Sequence, residues 1–283
     1  MALYFNSHYF TYEYVVYTSK KKFLKGRVVK VITGLSNFNV NDVINKVKAA
    51  EIAGADYVDI AADPNLVSLM KSLTSIPICV SSINPRDLYK CVLAGADIVE
   101  IGNFDIFYSK KIYFSSKQII KIAQEVRNLL SDTYICVTIP NNLLLKQQVK
   151  LAVSLQDIGI NCVQTEGLST KNCIVNREKN FISNTIYKSS ATLSSTYSVA
   201  NSINIPLITA SGISAMSAPI AISYGASGVG IGSVLNSLQS VYGMSNYIKE
   251  IIASISYFNN HTSGKACLTT LKLRNINSCA TVL

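Results

Sequence analysis

One short phrase, in which a helix stops and a buried strand begins, recurs three times along this 283-residue chain. It reads Ala53-Gly-Ala-Asp-Tyr-Val-Asp-Ile60, then Ala94-Gly-Ala-Asp-Ile-Val-Glu-Ile101, then Tyr224-Gly-Ala-Ser-Gly-Val-Gly-Ile231. Glycine closes a helix by taking a left-handed backbone that other residues resist, and the apolar, β-branched run behind it suits a strand covered on both faces. A longer echo pairs Ile76-Pro-Ile-Cys-Val-Ser-Ser82 with Ile205-Pro-Leu-Ile-Thr-Ala-Ser211. Its offset of about 130 residues marks an internal repeat of two half-units, which an open sheet does not readily accommodate.

The full alternation extends this pattern. Strand-like runs are expected at Val28–Thr33, Tyr57–Ala61, Pro77–Ser81, Ile98–Gly102, Tyr134–Ile139, Asn161–Glu166, Pro206–Ser211 and Gly228–Gly232. Between them, Asn39–Ala53 carries Val40, Val43, Ile44, Val47 and Ala50 at helical spacing and stops at Gly54. Ser115–Leu130 opens on serine caps, and Leu143–Ile158 stops at Gly159. The spacing predicts an α/β fold, a single-domain (β/α)8 TIM barrel over residues 27–258, with an N-terminal extension at 1–26 and a polar C-terminal tail at 259–283. One polar, basic insertion at Gly167–Lys188 follows the sixth strand. It is read either as a loop that closes over a ligand or as a disordered insertion.

Composition excludes several function classes. Hydrophobic residues make up 49% and charged residues 15%, with a mean hydropathy of +0.28, yet polar residues interrupt every stretch before it reaches membrane-spanning length. No membrane role is expected. The net charge of +10 has one compact basic cluster, Lys20, Lys21, Lys22, Lys25 and Arg27, with no recognition motif beside it, so no nucleic acid is expected. Seven scattered cysteines without a C-x-x-C pair fit a reducing compartment. Only His8 and His261 are present, both outside the barrel segment, so no metal site and no histidine-based triad is expected. The N-terminus lacks the pattern of a signal or transit peptide. Oligomeric state is not legible.

Strand parity points to chemistry. One parity collects Val29, Val31, Val58, Ile60, Ile78, Val80, Val99, Ile101, Ile135, Val137, Val163, Ile208, Val229 and Ile231, which suit contact with surrounding helices. The other collects Lys30, Asp59, Cys79, Ser81, Glu100, Cys136, Thr138, Gln164, Glu166, Thr209, Ser211, Gly230 and Gly232, which are then expected to face the barrel axis. Burying such groups without partners costs several kcal/mol each, on the order of transfer values. Lys30, Asp59, Glu100, Thr138 and Glu166 are therefore the candidate catalytic residues, with Lys30 as base or imine-former. The alternative is a satisfied lysine–carboxylate network that only fixes the barrel. Cys79, Cys136 and Cys162 are read as inert interior packing.

Thr209-Ala-Ser-Gly-Ile-Ser214 follows the seventh strand, and Gly228-Val-Gly-Ile-Gly-Ser-Val-Leu235 forms the eighth and its exit. Glycine-rich turns at these two consecutive strand ends are where this fold grips phosphate through backbone N–H groups. Ser211, Gly212, Ile213, Gly230, Gly232 and Ser233 are the candidate phosphate-binding residues, with Ser214 as a further hydroxyl.

Several motifs in order carry a resemblance: Val29-Lys-Val-Ile-Thr-Gly-Leu35, Gly54-Ala-Asp-Tyr-Val-Asp-Ile-Ala-Ala62, Ile78-Cys-Val-Ser-Ser82, Gly95-Ala-Asp-Ile-Val-Glu-Ile-Gly102, Cys136-Val-Thr-Ile-Pro140 and Gln164-Thr-Glu-Gly167. Over about residues 26–256 the chain resembles the hypothetical chloroplast open reading frame twenty-three family. The resemblance implies an aldolase-type barrel of the plastid stroma, encoded in the plastid, and transfers no catalytic residue. The expected function is a lyase or isomerase acting on a small phosphorylated metabolite by acid–base chemistry. The alternatives are a non-catalytic phosphometabolite sensor, or a barrel holding flavin mononucleotide as cofactor.

Overall fold

A computed structural model of the chain describes residues 26–167 and 181–262. Eight parallel strands close into a barrel in sequence order. They are β1 (Val28–Ile32), β2 (Tyr57–Ala61), β3 (Ile78–Ser82), β4 (Ile98–Ile101), β5 (Tyr134–Ile139), β6 (Cys162–Thr165), β7 (Leu207–Thr209) and β8 (Gly228–Ile231). The helices are α1 (Val40–Ala53), α2 (Pro64–Leu73), α3 (Pro85–Leu93), the single turn α4 (Asp105–Tyr108), α5 (Ser116–Leu129), α6 (Leu145–Asp157), α7 (Phe181–Ala200), α8 (Ala218–Ser223) and α9 (Val241–Thr262). A short 3-10 helix, Ser233–Ser237, follows β8.

The recurrent phrase has a mechanical role. Gly54 takes φ +80° and its N–H returns to Ala50 and Glu51, ending α1. Two residues on, the Asp56 carboxylate accepts from Val29 N at 2.8 Å while Asp56 N donates to Val29 O at 2.9 Å. Asp97 clamps Ile78 in the same two-point manner, and Asn161 clamps Ile135. Ser227 holds Leu207 likewise. Each clamp ties the start of one strand to the start of the next, which is why an acidic, amide or hydroxyl residue recurs there. Helix starts are equally specified: Asp63 and Asn84 cap helices whose first residue is proline, and Ser115 with Gln118 forms a capping box.

Apolar residues of the helix-facing parity merge with the inner helix faces into one large core layer. A smaller interior cluster fills the N-terminal end of the barrel: Val28, Tyr57, Cys79, Ile98, Cys136, Cys162 and Ile208, with Tyr134 against it. Burial pushes the Cys79 and Cys136 thiols well up, consistent with packing groups rather than nucleophiles.

Three differences from the sequence reading follow from tertiary contacts. In β7 the parity is reversed. Ile208 joins the interior cluster, and Thr209 faces outward, where its hydroxyl lies 2.7 Å from Thr196 of α7. Thr196 and Thr192 also bond Thr165 of β6, each at 3.0 Å, so a threonine ladder joins α7 to the barrel beside the apolar contact of Val199. The segment expected to be a loop through Lys188 is already helical from Phe181; residues 168–180 lie outside the described part of the chain. At the C-terminal end α9 packs on α1 and runs through to Thr262, past residue 258. Asn259 and Asn260 bond back to Gly26 and Arg27 at the mouth of β1. The remaining extensions, 1–25 and 263–283, lie outside the described residues.

Gly102 leaves β4 at φ +152°, and a Cβ there would overlap the side chain of Thr138 on β5. Gly54 also has positive φ, but nothing lies within 4 Å of its added Cβ. Gly102→Ala is expected to destabilise the barrel by about 2–5 kcal/mol, combining backbone strain with overpacking, against about 1–2 kcal/mol for Gly54→Ala. Urea unfolding of both variants measures this; equal losses would mean that Thr138 yields freely.

Candidate functional site

Side chains from six consecutive strands meet on the barrel axis. Lys30 of β1 places its ammonium between the carboxylates of Asp59 of β2, at 2.9 Å, and Glu100 of β4, and donates to Gln164 Oε1 of β6 at 3.0 Å. Ser81 of β3 donates to Asp59 at 2.6 Å, and Thr138 of β5 donates to Glu100 at 2.8 Å. Gln164 Nε2 donates to Glu100 at 2.8 Å and to Thr138 at 3.2 Å. Asn103, held at φ +58° beyond β4, covers this network and donates to Asp59 and Ser81 at 3.1 and 3.0 Å. Lys30, Asp59 and Glu100 are buried to within 1% of full enclosure.

Burial alone would push the Lys30 ammonium toward its neutral form, but the Asp59 and Glu100 carboxylates outweigh it and hold the pKa well above the ordinary lysine value. Glu100 is raised, chiefly by burial, with the attraction of Lys30 opposing and the negative charge of Asp59 reinforcing. Asp59, Cys79 and Glu100 bring potential ligand atoms within 4.8 Å of one another. The ammonium of Lys30 already supplies the positive charge between the two carboxylates.

Above this network, at the C-terminal end of the barrel, lies a cavity of about 540 Å³. One side is made by the turns after β7 and β8: Ser211, Gly212, Ile213, Gly230, Gly232 and Ser233 all line it. Ser211 and Gly212 both have positive φ, and a Cβ at Gly212 would overlap the carbonyl of Lys188 on α7. Ser214 is engaged in its own turn, its N–H donating to Ser217 Oγ at 3.0 Å. The floor is Asn103 and Gln164, and Glu166 lines the cavity from the end of β6, next to the turn after β7. Lys30, Asp59, Glu100 and Thr138 do not line the cavity; they lie beneath Gln164 and Asn103.

Glu166 differs from the carboxylates below it. Its Oε2 accepts from Phe104 N at 3.2 Å, while its buried Oε1 has no hydrogen-bond partner. The Tyr108 hydroxyl stands near enough for each group to perturb the other, yet it too lacks a hydrogen-bonded partner. Burial pushes the Glu166 pKa up to about 8, with the charges of Asp105 and Glu100 adding to it against the nearby Tyr108 hydroxyl and the Phe104 N–H. At neutral pH the group is mostly the protonated acid.

Three contributors escaped the sequence reading. Asn103 carried a weak signal, an asparagine next to glycine at a strand end, where positive φ is tolerated. Lys46 lines the cavity and bonds Asp42 at 2.7 Å and Asn236 at 2.6 Å. It lies at helical spacing within the buried Val43, Val47 and Ala50 stripe, an unusual place for lysine. Tyr108, in the one-turn helix α4, carried no signal at all.

Comparison with known proteins accords with the architecture. A model of the protein of unknown function family DUF561 matches residues 18–261. The chain belongs to this family. Relatives include the uncharacterized protein ycf23 of Antithamnion sp., 48% identical over 83% of this chain and 86% of its own length, and that of Cyanophora paradoxa, 40% identical over 83% and 96%. The family match spans every strand of this chain's barrel. Among solved structures, the geranylgeranylglyceryl phosphate synthase of Thermoplasma acidophilum, in complex with sn-glycerol-1-phosphate, superimposes at a TM-score of 0.57. It covers 87% of this chain and 98% of its own at 15% identity, a likeness of aldolase-type barrel fold. Among the described residues of this family member, no helix is long and apolar enough to cross a membrane.

Two outcomes are expected from the ionised interior. Lys30→Met leaves two buried carboxylates without their cation and should cost roughly 3–5 kcal/mol at neutral pH. Glu100 is already raised by burial and loses the opposing attraction of Lys30, so the deficit should shrink as pH falls and this carboxyl takes up its proton. A deficit independent of pH would show that Glu100 does not depend on the lysine. For Glu166 the folded pKa lies above the unfolded one, so the folded state binds the extra proton. Stability from this group is complete below about pH 4.5 and falls as pH rises toward about 8. Denaturant titrations across that range should show a downward slope that Glu166→Gln reduces; an unchanged slope would contradict the assignment.

Proposed function

We propose that this family member binds a small phosphorylated metabolite in the cavity at the C-terminal end of its barrel and acts on it as a lyase or isomerase by acid–base chemistry. The observation that carries this reading is the juxtaposition, around one cavity, of glycine-lined turns with a wall and floor of polar and ionisable groups. Backbone N–H groups at Gly212, Gly232 and Ser233 are suited to a phosphate, because glycine lets the oxygens approach closely. Glu166 meets the ligand directly as acid or base. Lys30, Asp59, Glu100 and Thr138 act from below, fixing the orientation and charge of Gln164. In this conformation the Lys30 ammonium is ion-paired with Asp59 and Glu100 and donates to Glu100 and Gln164, which favours an electrostatic role over imine formation.

The enclosure of that network favours, as a second reading, a phosphometabolite sensor without turnover, in which the network only fixes the barrel. A flavin mononucleotide cofactor has less support: the cavity lining includes Ile32, Leu35, Ile106 and Val234 but, among the described residues, no aromatic side chain to stack on a flavin. The plastid stroma is the proposed compartment, on the strength of the ycf23 name shared by the relatives.

Thermal denaturation with a panel of phosphate esters and their dephosphorylated counterparts tests the binding. Saturation at a hundred times Kd should stabilise the protein by about 2.7 kcal/mol with the esters and not with the free alcohols. Ser233→Glu, which adds a carboxylate at an exposed position of the cavity lining, should keep the fold and lose this response. Equal responses to esters and alcohols would overturn the phosphate reading. Turnover that Glu100→Gln and Glu166→Gln both leave unchanged would remove these carboxyls from the chemistry, and binding without turnover would favour the sensor.

A further inference from the structure

Buried polar atoms without partners are uncommon in a folded protein, and each marks a site where a hydrogen bond is missing. Two of those among the described residues, Thr33 Oγ1 and Glu166 Oε1, belong to residues that line the same cavity. A third, the Tyr108 hydroxyl, stands beside Glu166. Thr33 follows β1 and Glu166 follows β6, so the two flank the sector that β7 and β8 occupy in the closed strand order. That sector contributes only small interior groups at this level, Ala210, Gly230 and Gly232. A Cβ built on Gly167 would meet Ser211 Cβ at 3.0 Å, so the turn carrying Glu166 packs directly on the phosphate-binding turn after β7.

We propose that the cavity recognises a phosphate ester whose carbon chain carries uncharged oxygens, a phosphorylated polyol or hydroxy-ketone, with the Glu166 carboxyl donating a hydrogen bond to one oxygen and Thr33 bonding another. This deepens the reading of the cavity as a phosphate-ester site and rests on it. With the phosphate at Gly212 and Gly232, the rest of a small ligand extends between the two unpartnered side chains. A neutral carboxylic acid holds a proton to donate; it pairs with a hydroxyl or carbonyl oxygen and repels a second carboxylate once ionised. The groups that face Glu166 agree with a neutral acid: the carboxylates of Asp105 from α4 and Glu100 from β4, the Tyr108 hydroxyl, and the Phe104 N–H on Oε2. Ligands that merely fill the space, such as alkyl phosphates, leave Glu166 Oε1 and Thr33 Oγ1 unpaired.

Calorimetric titration of the intact chain with four probes tests this: inorganic phosphate, ethyl phosphate, glycerol 3-phosphate and phosphoglycolate. The expected result is binding of all phosphates with glycerol 3-phosphate preferred by about tenfold or more over both ethyl phosphate and phosphoglycolate. Glu166→Leu should abolish the preference while inorganic phosphate still binds. Glu166→Gln, which keeps a neutral donor of similar shape, should retain it. In the wild type the preference should weaken as pH passes about 8, and in Glu166→Gln it should not. Equal affinity for ethyl phosphate and glycerol 3-phosphate, with inorganic phosphate bound, overturns this inference and leaves the phosphate site standing. Preference for phosphoglycolate overturns the neutral-oxygen assignment. Failure of every probe, inorganic phosphate included, overturns both.

Discussion

An ammonium in the middle of a protein is the constraint around which this barrel is arranged. Removing a lysine and a carboxylate from water costs several kcal/mol per ion, while one pair of charges about 4 Å apart returns roughly 4 kcal/mol at an effective dielectric constant near 20. A single partner for Lys30 would therefore leave little surplus. Asp59 and Glu100 together, with Gln164 accepting a further hydrogen bond, shift that balance, and the carboxylates are themselves bonded by Ser81, Asn103 and Thr138. Two carboxylates to one ammonium leave an excess of negative charge. That excess, together with burial, explains why Glu100 is pushed up.

Because the network draws one side chain from each of β1 to β6, it also constrains strand register. A slip of one residue in any of these strands would turn an ionised or polar group into the apolar layer beneath the helices and expose a valine or isoleucine to the axis. The other two strands escape this constraint. In β7 and β8 the interior positions are Ile208, Gly228 and Gly230, with Ala210 and Gly232 just beyond. Six strands fill the axis and two leave room, so the cavity lies off-centre, against the turns whose backbone is most accessible. The location of the binding cavity is thus a consequence of unequal side-chain volume around one barrel.

Much of this was readable from the chain, since period-two alternation and glycine-closed helices report directly on backbone geometry. Lys30, Asp59, Glu100, Thr138 and Gln164 fell on the inward parity because each is embedded among apolar outward neighbours. β7 misled for a physical reason. Threonine is polar in isolation but can be satisfied on the helix side when a helix supplies hydroxyls, and Thr192 and Thr196 do so. Ile208 thereby takes the interior place. Asn103 was faintly legible and Tyr108 not at all, for a different reason: their contacts to Asp59, Ser81 and Glu166 join residues far apart in sequence, through loops without periodicity.

The two kinds of ionisable group in this interior differ in what the fold has already done for them. Lys30, Asp59 and Glu100 have their partners on neighbouring strands and lie beneath Gln164, away from the cavity. Glu166 lines the cavity and keeps one buried oxygen without a partner, held in its acid form by burial and by nearby negative charge. An unsatisfied buried carboxyl is a standing cost to stability, of the order of 1–3 kcal/mol for the missing hydrogen bond. Packing does not require it, because an apolar side chain of similar size at that wall would avoid the cost. The combination of a sealed, register-setting network with one unpartnered acid at its edge is therefore a division between groups that the barrel satisfies internally and one group that it leaves unsatisfied at the cavity.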